Sequence, residues 1–250
     1  MSNHQRGIQT VEFAGEILKL ICSSSKSLSL SEISESLQLP PGSAYKYLVS
    51  LLHTGLLKRD PTTLEFEAGP LSLRMGLAKI NHDVILTQAR QALTVLAEKY
   101  QLNVFASMWS KSNGPTVVFY KETGGFFHIG FRLGIRLSLH RTASGRIFSA
   151  YMDEQSLKEY DHGLTEEHVQ SLSQPDFIDA IRTIKQQGYS YLKGKPTPGM
   201  TTYAVPVFDS QGQFIMAMTA FHTSEHMATI QAEELIQDLK NIAENLAGYK

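Results

Sequence analysis

At 250 residues, 42% hydrophobic and 19% charged, the chain is long enough for two domains of ordinary size, each burying its own core. A formal charge of −1 excludes a uniformly basic nucleic-acid binder; the first 80 residues carry eight basic against seven acidic side chains, so any basic footprint must be local. No apolar run approaches the ~20 residues of a bilayer span, and a single cysteine excludes an intramolecular disulfide and suits a reducing cytoplasm.

The first residues, MSNHQRGIQT, lack the charged-then-apolar layout of a signal peptide. Ile8 to Cys22 then places Val11, Ala14, Ile17, Leu18 and Ile21 on one helical face, and Cys22 reads as a small core residue of that helix. After a short serine-rich loop, Ser29 to Arg59 has the plan of a helix-turn-helix. Ser29 and Glu32 form a capping box, and Ile33 and Leu37 fall one turn apart. Gln38, Leu39 and Pro40 make the turn, and Pro41 suits the first position of a second helix, where its missing N–H is not needed. That helix, Pro41 to His53, has Leu48, Leu51 and Leu52 inward, and Gly55 ends it. LLKRDPTTLEFEAG follows as strand, Asp-Pro turn and strand, a β-hairpin wing. A helical hairpin packed in a larger core would show the same leucine spacing. The wing, and the absence of any acid between Pro40 and Arg59, favour DNA, because phosphates repel carboxylates.

Gly69-Pro70 closes the wing, and LSLRMGLAKI resumes helical spacing as a connector. Thr87 to Tyr100 is a further helix. NVFASMWS and TVVFYKE flank a Ser-Asn-Gly-Pro turn as a hairpin, and GFFHIGFRLG and IRLSLH are expected to continue the β character. A helix opens at RTASGR with the body IFSAYM, and another covers Ser171 to Gln187, stopped by Gly188. Three strands, in YSYLKGKP, MTTYAVPVFD and QFIMAMTAFH, precede a terminal amphipathic helix over Ala228 to Leu246. The fold class is α+β, with helices expected on one face of an antiparallel sheet and a ligand beneath its loops. The expected domains are 1–69 (winged helix-turn-helix), 70–83 (linker helix) and 84–250 (effector-binding).

No catalytic constellation emerges. Ser144 lacks a Gly-x-Ser-x-Gly elbow, and Gly124-Gly125 is followed by no Gly-Lys-Ser/Thr, so it is not a phosphate loop. His222 and His226 are four residues apart but straddle a strand end and a Thr-Ser turn, so solvated loop histidines are preferred to a metal site. His140 either orients the turn before RTASGR or lines a pocket. Trp109 and Met108 alternate on a strand, so one of them points into the core. No enzyme activity, metal or cofactor is expected.

The order and separation of SLSLSEISESLQLPPGSAYKYLVSLLHTGLLKRDPTTLEFEAGPLSLRMG, GIRLSLHRTASGR, QQGYS and GMTTYAVPVFDSQG resemble the IclR family of transcriptional regulators over nearly the whole chain. The resemblance implies a winged helix-turn-helix, a linker helix and a GAF-like effector domain, assembled as a homodimer or homotetramer. It implies double-stranded operator DNA and a small-molecule effector as partners. The residues expected at DNA are Ser43, Tyr45, Lys46 and Tyr47 in the second helix and Lys58, Arg59 and Thr62 in the wing. Where the family often has a Ser-Thr pair and an arginine, this chain has Gly42-Ser43 and Lys46, a point charge in place of a bidentate fork.

By the same resemblance, the effector lies over an apolar patch at Phe126, Ile129 and Leu137, with its carboxylate on backbone donors of Ala143 and Ser144. Free N–H groups and the helix dipole favour an anion at a helix N-terminus. A family aspartate falls on Leu192, a frequent cysteine on Thr202, and two serines on Thr219 and Phe221. Apolar or bulkier residues thus replace half the polar anchors, which points to a carboxylate with an aromatic or larger apolar body. The alternative is a small-molecule sensor whose winged domain contacts protein instead of DNA.

Overall fold

The computed structural model describes residues 8–24, 26–110, 113–123, 132–160 and 173–248. The chain divides into two compact units, Met1–His82 and Asp83–Lys250.

The first unit runs α1 (Gln9–Ser23), α2 (Leu30–Ser36), α3 (Pro41–His53), β1 (Leu57–Arg59), β2 (Phe66–Ala68) and α4 (Pro70–His82). The capping box is present: the Glu32 N–H donates to Ser29 Oγ, and the Ser29 N–H donates to Glu32 Oε2 at 2.8 Å. Lys26 donates to the other carboxylate oxygen, and these donors hold the Glu32 carboxyl down at about 2. Gln38 takes a left-handed backbone (φ 51°) to turn α2 into α3, which starts with Pro41 in its first turn. Ile17 and Ile21 of α1, Ile33 of α2, Leu48 and Leu51 of α3, and Leu57 and Phe66 of the wing form one core. Two expectations for α1 fail. Cys22 is exposed, because one residue beyond Ile21 the helix has turned by ~100° out of the core. Val11, in the first turn, is 65% exposed.

The wing strands pair antiparallel with Lys58 opposite Glu67. Gly69 then lets the chain turn tightly into α4: a Cβ there would lie 2.3 Å from the Gly55 carbonyl oxygen and 2.7 Å from Leu57 backbone. Ser72 Oγ fixes the start of α4 by donating to the Leu56 carbonyl at 2.7 Å.

The second unit runs α5 (Val84–Tyr100), β3 (Asn103–Ser110), β4 (Gly114–Lys121), α6 (Ala143–Tyr151), α7 (Glu154–Tyr160), α8 (Pro175–Gln187), β5 (Ser190–Lys193), β6 (Met200–Phe208), β7 (Phe214–Thr223), α9 (Ser224–Met227) and α10 (Ala232–Ala247). The five strands form one antiparallel sheet in the order β4-β3-β7-β6-β5. Helices cover both of its faces, not one. Phe105, Ala217, Thr219, Phe221, Thr202, Ala204 and Leu192 share the face on which α6 and α8 pack. The alternate residues, such as Val104, Val205 and Met218, are buried on the face covered by α5 and α10. Lys99 of α5 bridges Glu234 and Asp238 of α10, joining those two helices.

The expected strand in IRLSLH does not form. Arg136 makes only an isolated bridge to Thr116, while the Val117 N–H donates to Ile135 and the Leu137 N–H donates to Pro115. Beyond that point the Ser138 carbonyl is claimed by the hydroxyl of Thr142, which draws the chain away from the sheet toward α6. Three helix starts also differ, the first being α8, which begins at Pro175 with Gln174 as its N-cap and not at Ser171. Asp83 caps α5 by accepting from the Leu86 N–H, so that helix begins at Val84, ahead of Thr87. The terminal helix begins at Ala232, after the separate short turn α9.

Candidate functional site

Two places carry the residues singled out from the sequence, one in each unit. In the first, the inward stripe of α3 is Ala44, Leu48 and Leu51, which leaves Ser43, Tyr45 and Lys46 exposed along its N-terminal half. Tyr47 lies three residues from Ala44 and four from Leu51, on the inward side of the helix. Its ring is half-buried, with its centroid 5.9 Å from that of Phe13. The wing residues are more committed than expected. Lys58 pairs with Glu67 at 2.9 Å, and Arg59 donates to the Leu64 carbonyl at 2.8 Å with its guanidinium 5.3 Å from the Phe66 ring centre. Thr62 is exposed beside Asp60, whose carboxyl is held below its ordinary range by the N–H groups of Thr63 and Thr62. In α3 and the wing, the Lys and Arg charges that no carboxylate meets among the described residues are therefore those of Lys46 and Arg59.

In the second unit a cavity with about 480 Å³ of empty space, mouth included, opens where the N-terminus of α6 meets the sheet. Its walls are apolar: Phe105, Leu137, Pro196, Met200 and Phe221. Its polar lining comes from Thr142, Ala143 and Ser144 on one side and Lys195, Thr197 and Thr202 on the other. Thr142 caps α6 by accepting from the Gly145 N–H at 2.9 Å, which leaves the N–H groups of Ala143 and Ser144 without an acceptor among the described residues. Ala143 and Ser144 are each 1% exposed. Two buried donors at the positive end of a helix favour a carboxylate.

The neighbouring side chains sharpen this picture. Ser144 and Ser107 share a hydrogen bond of 2.6 Å. Thr219 faces Phe105 across the β3–β7 pairing, two residues before Phe221, and is fully buried. Its hydroxyl has no hydrogen-bond partner among the described residues. A buried hydroxyl without a partner is unfavourable unless a ligand or water meets it. Leu192 is packed with Ala143, Ile147 and Ala204 in the core beneath α6, and neither it nor Thr219 is among the residues that line the cavity. Phe126 and Ile129 lie outside the described residues.

The loop that carries Leu137 is clamped to α6. Gly145 has no side chain where a Cβ would stand 2.0 Å from the Ser138 carbonyl oxygen. Arg146 Nε donates to the His140 carbonyl at 2.9 Å, and the His140 ring contacts Ser138 Oγ, so this histidine orients the turn and is not among the lining residues. Trp109 packs against Phe148 and Tyr160, as a core residue.

These geometries meet the comparison with known sequences. The model of the IclR helix-turn-helix domain matches residues 10–61, and that of the bacterial transcriptional regulator IclR C-terminal domain matches residues 78–247. The chain belongs to the IclR family of transcriptional regulators.

Among IclR-family relatives, the HTH-type transcriptional regulator BhcR of Paracoccus denitrificans is 28% identical over 216 residues, covering 83% of this chain and 75% of that one. The crystal structure of an IclR transcriptional regulator from Alicyclobacillus acidocaldarius superposes with a TM-score of 0.78 at 20% identity, over 97% of this chain and 98% of that chain. An IclR homologue from Microbacterium hydrocarbonoxydans, crystallised in complex with 4-hydroxybenzoate, gives 0.72 at 15% identity, over 95% and 97%. At those identities the structures establish a shared fold. Within the cavity, six lining residues were not foreseen: Phe105, Thr142, Lys195, Pro196, Thr197 and Met200. The only local hint was KGKPTPG, a glycine- and proline-rich loop with two lysines between predicted strands.

His222 and His226 do come together, with ring centres 4.1 Å apart. Burial and the facing His226 push His222 below its ordinary pKa. His226 Nε2 contacts the Tyr100 carbonyl, and no third metal-ligating side chain joins the pair among the described residues.

Proposed function

We propose that this regulator binds operator DNA through α3 and that a carboxylate effector in the α6 cavity changes that binding. The observation that carries the effector half is the pair of unaccepted, buried N–H groups at Ala143 and Ser144 opening into an apolar cavity. The walls, from Phe105 to Phe221, favour an aromatic or larger apolar body over a two-carbon keto acid. The Microbacterium homologue's 4-hydroxybenzoate is a ligand of this kind. We assign DNA recognition to residues 1–69, linkage to 70–83 and effector binding to 84–250. Ser43, Tyr45 and Lys46 enter the major groove, Thr62 reaches phosphate from the wing, and Lys58 and Arg59 do so only by loosening their present partners. Leu73 and Leu77, one turn apart on α4, are exposed at 65% and 47%, and such a stripe fits a homodimer contact.

The reading is tested with the full chain, DNA from upstream of its own gene, and two acids. A gel shift should show a complex that benzoate or 4-hydroxybenzoate weakens or strengthens, and calorimetry should show either acid binding more tightly than glyoxylate. Tighter glyoxylate binding refutes the effector class. No complex at low salt refutes the DNA half and favours a sensor whose winged domain contacts protein.

A further inference from the structure

The proposed effector site has a second pole. Residues 194–199 connect β5 to β6 and bring Lys195, Pro196 and Thr197 into the lining of the cavity. Gly194 and Gly199 (φ 72° and 78°) give this loop its sharp bends. It is fastened at both ends: the Gly194 N–H donates to the Met200 carbonyl and the Ser224 N–H donates to the Gly199 carbonyl, each at 2.7 Å. Lys195 is thus carried by a tied loop rather than a free one. It is the one charged residue among the described residues lining the cavity, and no acid lies beside it there.

The lining thus combines amide donors at α6, the apolar side chains of Phe105, Leu137, Met200 and Phe221, and one exposed lysine, Lys195. A monocarboxylic acid satisfies only the first two. We propose that the effector is a dianion, a dicarboxylate or a carboxylate bearing a second acidic group, with Lys195 selecting the second charge. This inference rests on the carboxylate reading of the α6 end and adds a residue that determines specificity. Lys195 is exposed, so the preference it confers is modest and sensitive to salt.

The experiment titrates the full chain calorimetrically with benzene-1,4-dicarboxylate and with 4-methylbenzoate, which match in shape and differ by one charge. Hexanedioate and hexanoate make a flexible second pair that tolerates a different span. In at least one pair the dianion should bind about fivefold more tightly at low salt, and the ratio should shrink as salt rises. Lys195→Met should weaken the dianion more than the monoanion and bring that ratio toward one, and Lys195→Arg should restore it. Equal affinities in both pairs overturn the proposal alone, as does a Lys195→Met variant that weakens both members of a pair alike. If no probe binds, the effector reading beneath it falls as well.

Discussion

Gly145→Ala is the substitution that most directly tests how the cavity is held. Position 145 is helical and buried, with a backbone that any residue can adopt, so conformation alone does not require glycine. What requires it is contact: an added Cβ would stand 2.0 Å from the Ser138 carbonyl oxygen, 2.7 Å from its carbonyl carbon and 2.7 Å from Thr142 Oγ1. Two of these atoms are backbone and the third is the α6 cap, so none can swing aside cheaply. Forcing a methyl into a packed site costs about 1–3 kcal/mol. Disturbing the Thr142 cap adds about 1 kcal/mol, and the helix propensity of alanine returns roughly 0.5–1 kcal/mol. The net expectation is a loss of about 2 kcal/mol, or a fall in Tm of roughly 4–8 °C for a unit of this size. Urea denaturation at constant m-value measures it. Because the 138 loop also carries Leu137, benzoate affinity should fall too. Gly76→Ala is the matched control: nothing lies within 4 Å of a Cβ at that helical position, so it should stabilise by about 0.5–1 kcal/mol. A neutral or stabilising Gly145→Ala would refute the clamp.

Three further outcomes are expected. Lys46→Ala should weaken DNA binding and reduce the salt slope by about one, whereas Lys58→Ala should do less because Glu67 already engages that ammonium; filter binding across a salt series distinguishes them. Thr219→Val should keep or raise stability by about 1 kcal/mol, since it removes a buried hydroxyl with no partner among the described residues; chemical denaturation reads this, and a clear loss of stability would refute it. Because His222 has a depressed pKa, the unfolded chain takes up its proton first as pH falls. Its stabilising contribution is therefore present above about 6.5 and lost below it, levelling once the folded value is passed. Tm measured across this range should decline in the wild type and less in His222→Asn. Glu32 acts in a separate window, between about 4.5 and 2.

Local rules made the first unit legible. The Ser29–Glu32 box, Pro41 at the start of α3 and the Asp-Pro turn of the wing each act within a few residues, and each forms. Cys22 and Tyr47 escaped the reading because a single helical step decides which side of the core a residue meets. In the second unit, strand patterns survived where ladders could form. The stretch Ile135 to His140 alternates like a strand, but the Ser138 carbonyl is bound by Thr142, a preference for which alternation gives no sign. α7 was not anticipated; Asp153, whose carboxylate accepts from the Ser156 N–H, starts it. Most of the missed cavity residues come from β3 and from the 194–199 loop, remote in sequence from the α6 turn, and only tertiary pairing brings them there.

The sheet of the second unit separates its two helical layers by one thickness of backbone. Phe105 projects toward the cavity, and its immediate neighbours Val104 and Ala106 are buried on the side of α5. A guest in the cavity and helix α5 therefore bear on opposite faces of one strand, and α5 follows α4 with only Asp83 between them. Replacing Val104 or Ala106 with a residue of different volume alters the packing under α5 without touching the guest.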